Sequence, residues 1–80
     1  MVHFNKVWKS IETFDGSRCV DFFERPDQTF GFEEYRRDVE DPSGWFVIGN
    51  FSSRIFTNKT NSTESAFNSI QWIIARIKIN

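Results

Sequence analysis

The sequence predicts an α+β domain: a four-stranded, mainly antiparallel β-meander with one C-terminal α-helix packed on one face. Three observations carry this. Asp15-Gly16 stands between two alternating segments, the strongest short-range hairpin signal a chain can hold. Pro26-Asp27-Gln28 then breaks the chain before a third alternating segment. Beyond Asn61 the apolar residues change from a period of two to one of 3.6. The 80 residues make a single small domain, 1–80.

The first strand spans residues 7–14 and holds Val7, Trp8, Ile11 and Phe14. Asp15-Gly16 fits a two-residue type I′ turn, whose positive φ angles Asp tolerates and Gly adopts freely. The second strand spans 17–25, with Cys19, Val20, Phe22 and Phe23, and the third spans 29–37, with Phe30, Phe32 and Tyr35. Residues 38–44 form a polar loop. The run Trp45-Phe46-Val47-Ile48 reads as a fourth strand, 45–50, buried on both faces. Residues 53–57 read as either a brief further strand or a loop crossing the sheet edge. The helix spans 62–78. Asn61 and Glu64 have capping-box spacing, and Ala66, Phe67, Ile70, Ile73, Ile74 and Ile77 share an arc of about 120°.

The turns set a register, and the register sorts the faces. A two-residue first turn pairs Glu12 with Cys19, Ser10 with Asp21 and Trp8 with Phe23. It also sets Ile11 beside Val20, Lys9 beside Phe22 and Val7 beside Glu24. A three-residue second turn sets Phe22 against Phe32 and Glu24 against Phe30. The expected core face is then Val7, Ile11, Val20, Phe22, Phe30 and Phe32. The other face carries Trp8, Phe14, Phe23 and Tyr35 with Glu12, Asp21 and Glu33 among them, and a single helix leaves it uncovered. A one-residue slip in the second turn would move the whole third strand to the other face. Trp72 falls about 120° outside the helix stripe, pointing either to a contact surface or to packing by a chain terminus.

Composition narrows the function classes. Ten Phe, three Trp and one Tyr are a heavy aromatic load, the natural way for a small domain to bury enough area. One cysteine allows no internal disulfide and fits a reducing compartment. With neither a signal-peptide run nor a transmembrane-length apolar stretch, a cytoplasmic location without membrane contact is expected. On that view the Asn-x-Ser/Thr triplets at Asn50, Asn58 and Asn61 are loop chemistry and not glycan acceptors. Net charge is −1; residues 1–42 hold ten acids and six bases, and 43–80 one acid and four scattered bases.

No catalytic, cofactor or metal residues emerge. His3 is the lone histidine, Cys19 has no partner, and one of each excludes a structural zinc site. Glu33 and Glu34 are adjacent in a strand and point to opposite faces, as do Arg36 and Arg37. The four glycines are isolated, so no phosphate-cradling loop exists. Aromatic rings on an open sheet are how several RNA-binding modules stack bases, which makes a nucleic-acid-binding sheet the alternative function. The acidic fringe and the missing basic rim argue against it.

The hairpin–strand–strand–helix order, with Phe30-Gly31-Phe32 after a turn and Ala66 to Ile70 in a late helix, resembles the small YegP-like bacterial domains over residues 19–77. The resemblance implies a compact meander-plus-helix unit of unassigned biochemistry, commonly in two tandem copies. This chain has one copy and an additional first strand, and a single copy of a doubled domain fits a homodimer. No functional residue transfers. The expected function is therefore a non-enzymatic protein-interaction module that pairs with a protein partner or with itself. Its expected surface is Trp8, Phe14, Phe23 and Tyr35 on the sheet, with the outward Trp72 of the helix as a separate candidate contact.

Overall fold

Four antiparallel strands succeed one another across one sheet in the order β1-β2-β3-β4 in the computed structural model. They are β1 Lys6–Glu12, β2 Arg18–Glu24, β3 Phe30–Arg36 and β4 Phe46–Val47. After them come a 3-10 turn at Phe51–Ser53 and two helices, α1 Lys59–Ser69 and α2 Gln71–Lys78. The structure describes residues 4–38, 40 and 44–78; residues 1–3 with His3, residues 39 and 41–43 of the polar loop, and the last two residues lie outside it. The α+β class and the meander are as the sequence predicts. The single helix is not.

Both hairpin registers keep the expected pairs next to their turns. Ile11 faces Val20 and Glu12 faces Cys19 in the first; Phe22 faces Phe32 and Glu24 faces Phe30 in the second. The first turn differs in kind. Thr13 N–H donates to the Arg18 carbonyl at 2.9 Å, which closes a four-residue loop over Phe14, Asp15, Gly16 and Ser17. Of these four only Gly16 has positive φ (73°), so the turn is not type I′. Asp15 holds the loop by accepting from Ser17 N–H (3.0 Å), Ser17 Oγ (2.7 Å) and Thr13 Oγ1 (2.8 Å). Ser17 backbone and hydroxyl, then Thr13, hold the Asp15 carboxyl at about 2. Two-residue and four-residue loops share one register, so the expected pairs form although the turn is of another type. In the second turn Gln28, at φ 70°, fills the left-handed position, and Gln28 N–H donates to the Arg25 carbonyl at 2.9 Å.

A β-bulge in β1 shifts the register between Val7 and Lys9, so that Val7 rather than Trp8 faces Phe23. Trp8 thereby turns to the helix side, where its ring lies 5.5 Å from that of Phe22. Val7, expected in the core, is exposed. The core is Ile11, Val20, Phe22, Phe32, Ala66, Ile70 and Ile73, with Trp8, Phe51, Phe56, Phe67 and Trp72 packed around it. Phe30 is half-buried. Fully burying Phe22 and Phe32 stabilises the fold by about 1.5–3 kcal/mol each.

The helical region starts earlier than expected and breaks. Asn58, not Asn61, is the N-cap, and its Oδ1 accepts from Asn61 N–H at 2.8 Å. At Ile70 the backbone is extended (φ −123°, ψ 96°) although its N–H still reaches the Ala66 carbonyl. The preceding Asn68-Ser69 pair are weak helix formers whose side chains compete for backbone groups. The break re-aims α2. Ile73 and Trp72 turn toward the sheet, while Ile74 and Ile77 of the expected stripe are exposed.

Candidate interaction surface

The free edge of β3 is filled in two stretches. Tyr35 pairs with Val47 and Arg36 with Phe46, and Ile48 N–H donates to the Glu34 carbonyl at 3.0 Å. Farther along, Phe30 and Phe56 exchange both backbone bonds, at 2.8 and 3.0 Å, which makes the 53–57 segment a single bridge rather than a strand. Between the two stretches the chain loops out as the 3-10 turn.

Two groups, Glu33 of β3 and Arg25 just after β2, hold that excursion. Glu33, 2% exposed, accepts from Phe51 N–H (3.0 Å) and Ser52 N–H (2.9 Å) as well as from Glu34 N–H (2.9 Å). Burial pushes its carboxyl up, but the N–H groups of Ser52, Glu34 and Phe51 outweigh this and hold it below the ordinary range. Arg25 donates to the carbonyls of Ser52 (2.7 Å), Arg54 (3.2 Å) and Phe30 (3.0 Å). Its guanidinium passes over Gly31, where a Cβ would come within 2.7 Å of Nη2, and lies 5.0 Å from the Phe23 ring centre.

The four residues expected to share one patch, Trp8, Phe14, Phe23 and Tyr35, are spread over different surroundings, and Trp72 lies apart on α2. Phe23 and Tyr35 do lie on the sheet face away from the helices, but Arg25 covers Phe23, which is 5% exposed. Tyr35 is half-buried in a cleft of about 270 Å3 with Ser10, Glu12, Cys19, Asp21 and Trp45. Trp8 lies against the core, with the Lys59 ammonium 5.0 Å from its ring centre. Phe14 is exposed at the first turn, with Arg76 4.3 Å from its ring centre. Trp72 is half-buried against the core and its Nε1–H donates to Glu34 Oε2 at 2.8 Å. The bulge and the helix break each moved one tryptophan, and neither carries a Gly or Pro to mark it.

The cleft around Tyr35 offers no activated nucleophile. Burial, then the charges of Asp21 and Glu12, push the Cys19 thiol up to about 11, so it stays protonated at neutral pH. Burial and the charge of Asp21 raise the Tyr35 phenol likewise. Asp21 Oδ1 is occupied by Ser10 Oγ at 2.5 Å. Among the described residues no three His, Cys, Asp or Glu side chains group as metal ligands.

Basic side chains are largely engaged within the fold. Arg25, Arg37, Arg54, Arg76 and Lys59 each lie within 5.0 Å of an aromatic ring centre, where about one such pair per 70–80 residues is ordinary. Arg18 stands 3.7 Å from Glu34. Lys6 and Lys9 on β1 lie two strands from Arg36 on β3, so they form no continuous basic stripe with it.

The sheet edge at β4 is the surface the sequence did not reveal. Trp45, Phe46, Val47 and Ile48 are 39%, 48%, 58% and 40% exposed, in place of the expected strand buried on both faces. The cause is position: β4 is the last strand, and no described element lies outside it. Ile48 N–H points at β3, so strand alternation turns the N–H and C=O of Val47 outward. The other edge strand, β1, carries Lys6 and Lys9 and is bent by its bulge, two devices that discourage strand addition. β4 carries neither.

Fold and surface together define a small α+β domain whose two sheet edges differ, one bulged and lysine-bearing, the other apolar. No family model, curated protein or solved structure matches the chain.

Proposed function

We propose that this chain is a non-enzymatic protein-interaction module that receives an extended strand at β4. One observation carries the reading: Trp45, Phe46, Val47 and Ile48 are exposed at the edge strand β4, whose outward Val47 backbone groups have no partner among the described residues, opposite an edge that a bulge and two lysines make unfavourable for strand addition. The protonated thiol and phenol of the Tyr35 cleft support a role without catalysis. The basic side chains sit singly over separate rings, and Lys6 and Lys9 lie two strands from Arg36; without a basic stripe among the described residues, the electrostatic share of nucleic-acid binding is small, which weighs against that alternative. No described helix is long and apolar enough to cross a membrane. A buried, unpaired Cys19 fits a reducing, cytoplasmic setting.

Titration with an acetylated, amidated Thr-Val-Thr-Val-Thr peptide, monitored by amide chemical shifts, tests the reading. The Val47 amide should move while the β1 amides stay in place. Movement at β1 with a silent Val47 would overturn it.

A further inference from the structure

Resting on the reading that β4 accepts a strand, we infer that its occupant is a second copy of this chain, paired antiparallel through β4 about a two-fold axis at Val47. Available edges point this way first. On a second copy, β1 is bent and charged, and the edge of β3 is filled by β4 and the 53–56 segment. Only β4 remains to meet β4, which gives a closed pair and not a filament.

Backbone geometry allows the pair. A two-fold axis at Val47 lets its outward N–H and C=O bond to the same groups of the second copy. The register sets Phe46 against the second copy's Ile48 as a narrow, non-hydrogen-bonded pair, where an aromatic and a β-branched side chain pack closely. Trp45 falls opposite Gly49, which has no side chain to oppose it. Residues 44–50 contain no charge, so self-pairing opposes no like charges. A segment evolved for a charged partner strand would not be expected to be this self-complementary.

The pair is weak. Four half-exposed side chains bury on the order of 400 Å2 per copy, against about 800 Å2 per partner in a standard stable interface. Association therefore depends on concentration.

Sedimentation equilibrium across a concentration series tests this. The apparent mass should rise from 9.5 kDa toward twice that value and no further. Val47→Pro, which removes only an outward N–H from an edge strand, should stay at the monomer mass. As a register test that tolerates a poorly folding proline variant, reduced Phe46→Cys and Ile48→Cys proteins are air-oxidised each alone and, in parallel, as an equimolar mixture. Mixed disulfides should exceed either homodimer severalfold, and the buried Cys19 thiol does not compete. A wild type that stays monomeric while the pentapeptide still moves Val47 would exclude the second copy and leave the edge reading intact. Monomer mass with a silent Val47 would remove both. Masses beyond two copies, or disulfides without preference for the mixture, would overturn the closed register.

Discussion

Trp8 and Trp72 are both half-buried against one core, yet their indole N–H groups differ. Trp72 Nε1–H reaches Glu34 at 2.8 Å, whereas the buried Trp8 Nε1–H meets no acceptor among the described residues. A buried donor without a partner costs about 1–3 kcal/mol, and a hydrogen bond to a charged group contributes about 1.5–3 kcal/mol. Replacing each with Phe separates the two. Trp72→Phe should lose about 1.5–3 kcal/mol in denaturant titration, because it removes a hydrogen bond to the charged Glu34 carboxylate and leaves that oxygen only the longer contact with Arg18. Trp8→Phe should change stability by less than about 1 kcal/mol, since lost contacts and the removed orphan donor offset each other. Equal losses would mean that the indole bond to Glu34 contributes nothing. Neither fate was legible in the sequence: Trp8 changes face only because of a bulge, and Trp72 only because α1 ends at Ser69.

At the scale of elements, the legible part came from periodicity and turn chemistry. Asp15-Gly16 and Pro26-Asp27-Gln28 fixed both hairpin registers, and β1, β2 and β3 lie within two residues of their expected bounds. The irregular pieces left no such mark. The 3-10 turn at Phe51–Ser53 exists because Glu33 and Arg25, distant in sequence, converge on it. Its hold on Glu33 is sensitive to pH. The Glu33 carboxyl lies below its ordinary value of 4.5 in the folded state, so the unfolded chain binds its proton first as pH falls. Its stabilisation is therefore complete above the ordinary range and disappears as pH drops through the lowered value. In acid titrations of melting temperature, Glu33→Gln should be less stable at neutral pH and lose less than the wild type on acidification. Parallel acid limbs for the two proteins would contradict the capping role.

At the scale of the whole molecule, the decisive asymmetry is between the two sheet edges. The sequence showed aromatic excess and a fourth apolar run, and it suggested an uncovered face. The structure instead exposes one consecutive apolar run, Trp45, Phe46, Val47 and Ile48, at an edge. Arginines over rings and the Trp45 side of the cleft occupy much of the face opposite the helices. Whether a short apolar run is interior or terminal in a sheet depends on the next element of the chain, and here that element is a helix-bound segment rather than a fifth strand. Site-resolved amide exchange at several protein concentrations reads both edges at once. Protection at Val47 should rise with concentration while the amides of β1 exchange at unchanged rates. Concentration-dependent protection along β1, or none at Val47, would contradict an open edge at β4 that pairs with its own copy.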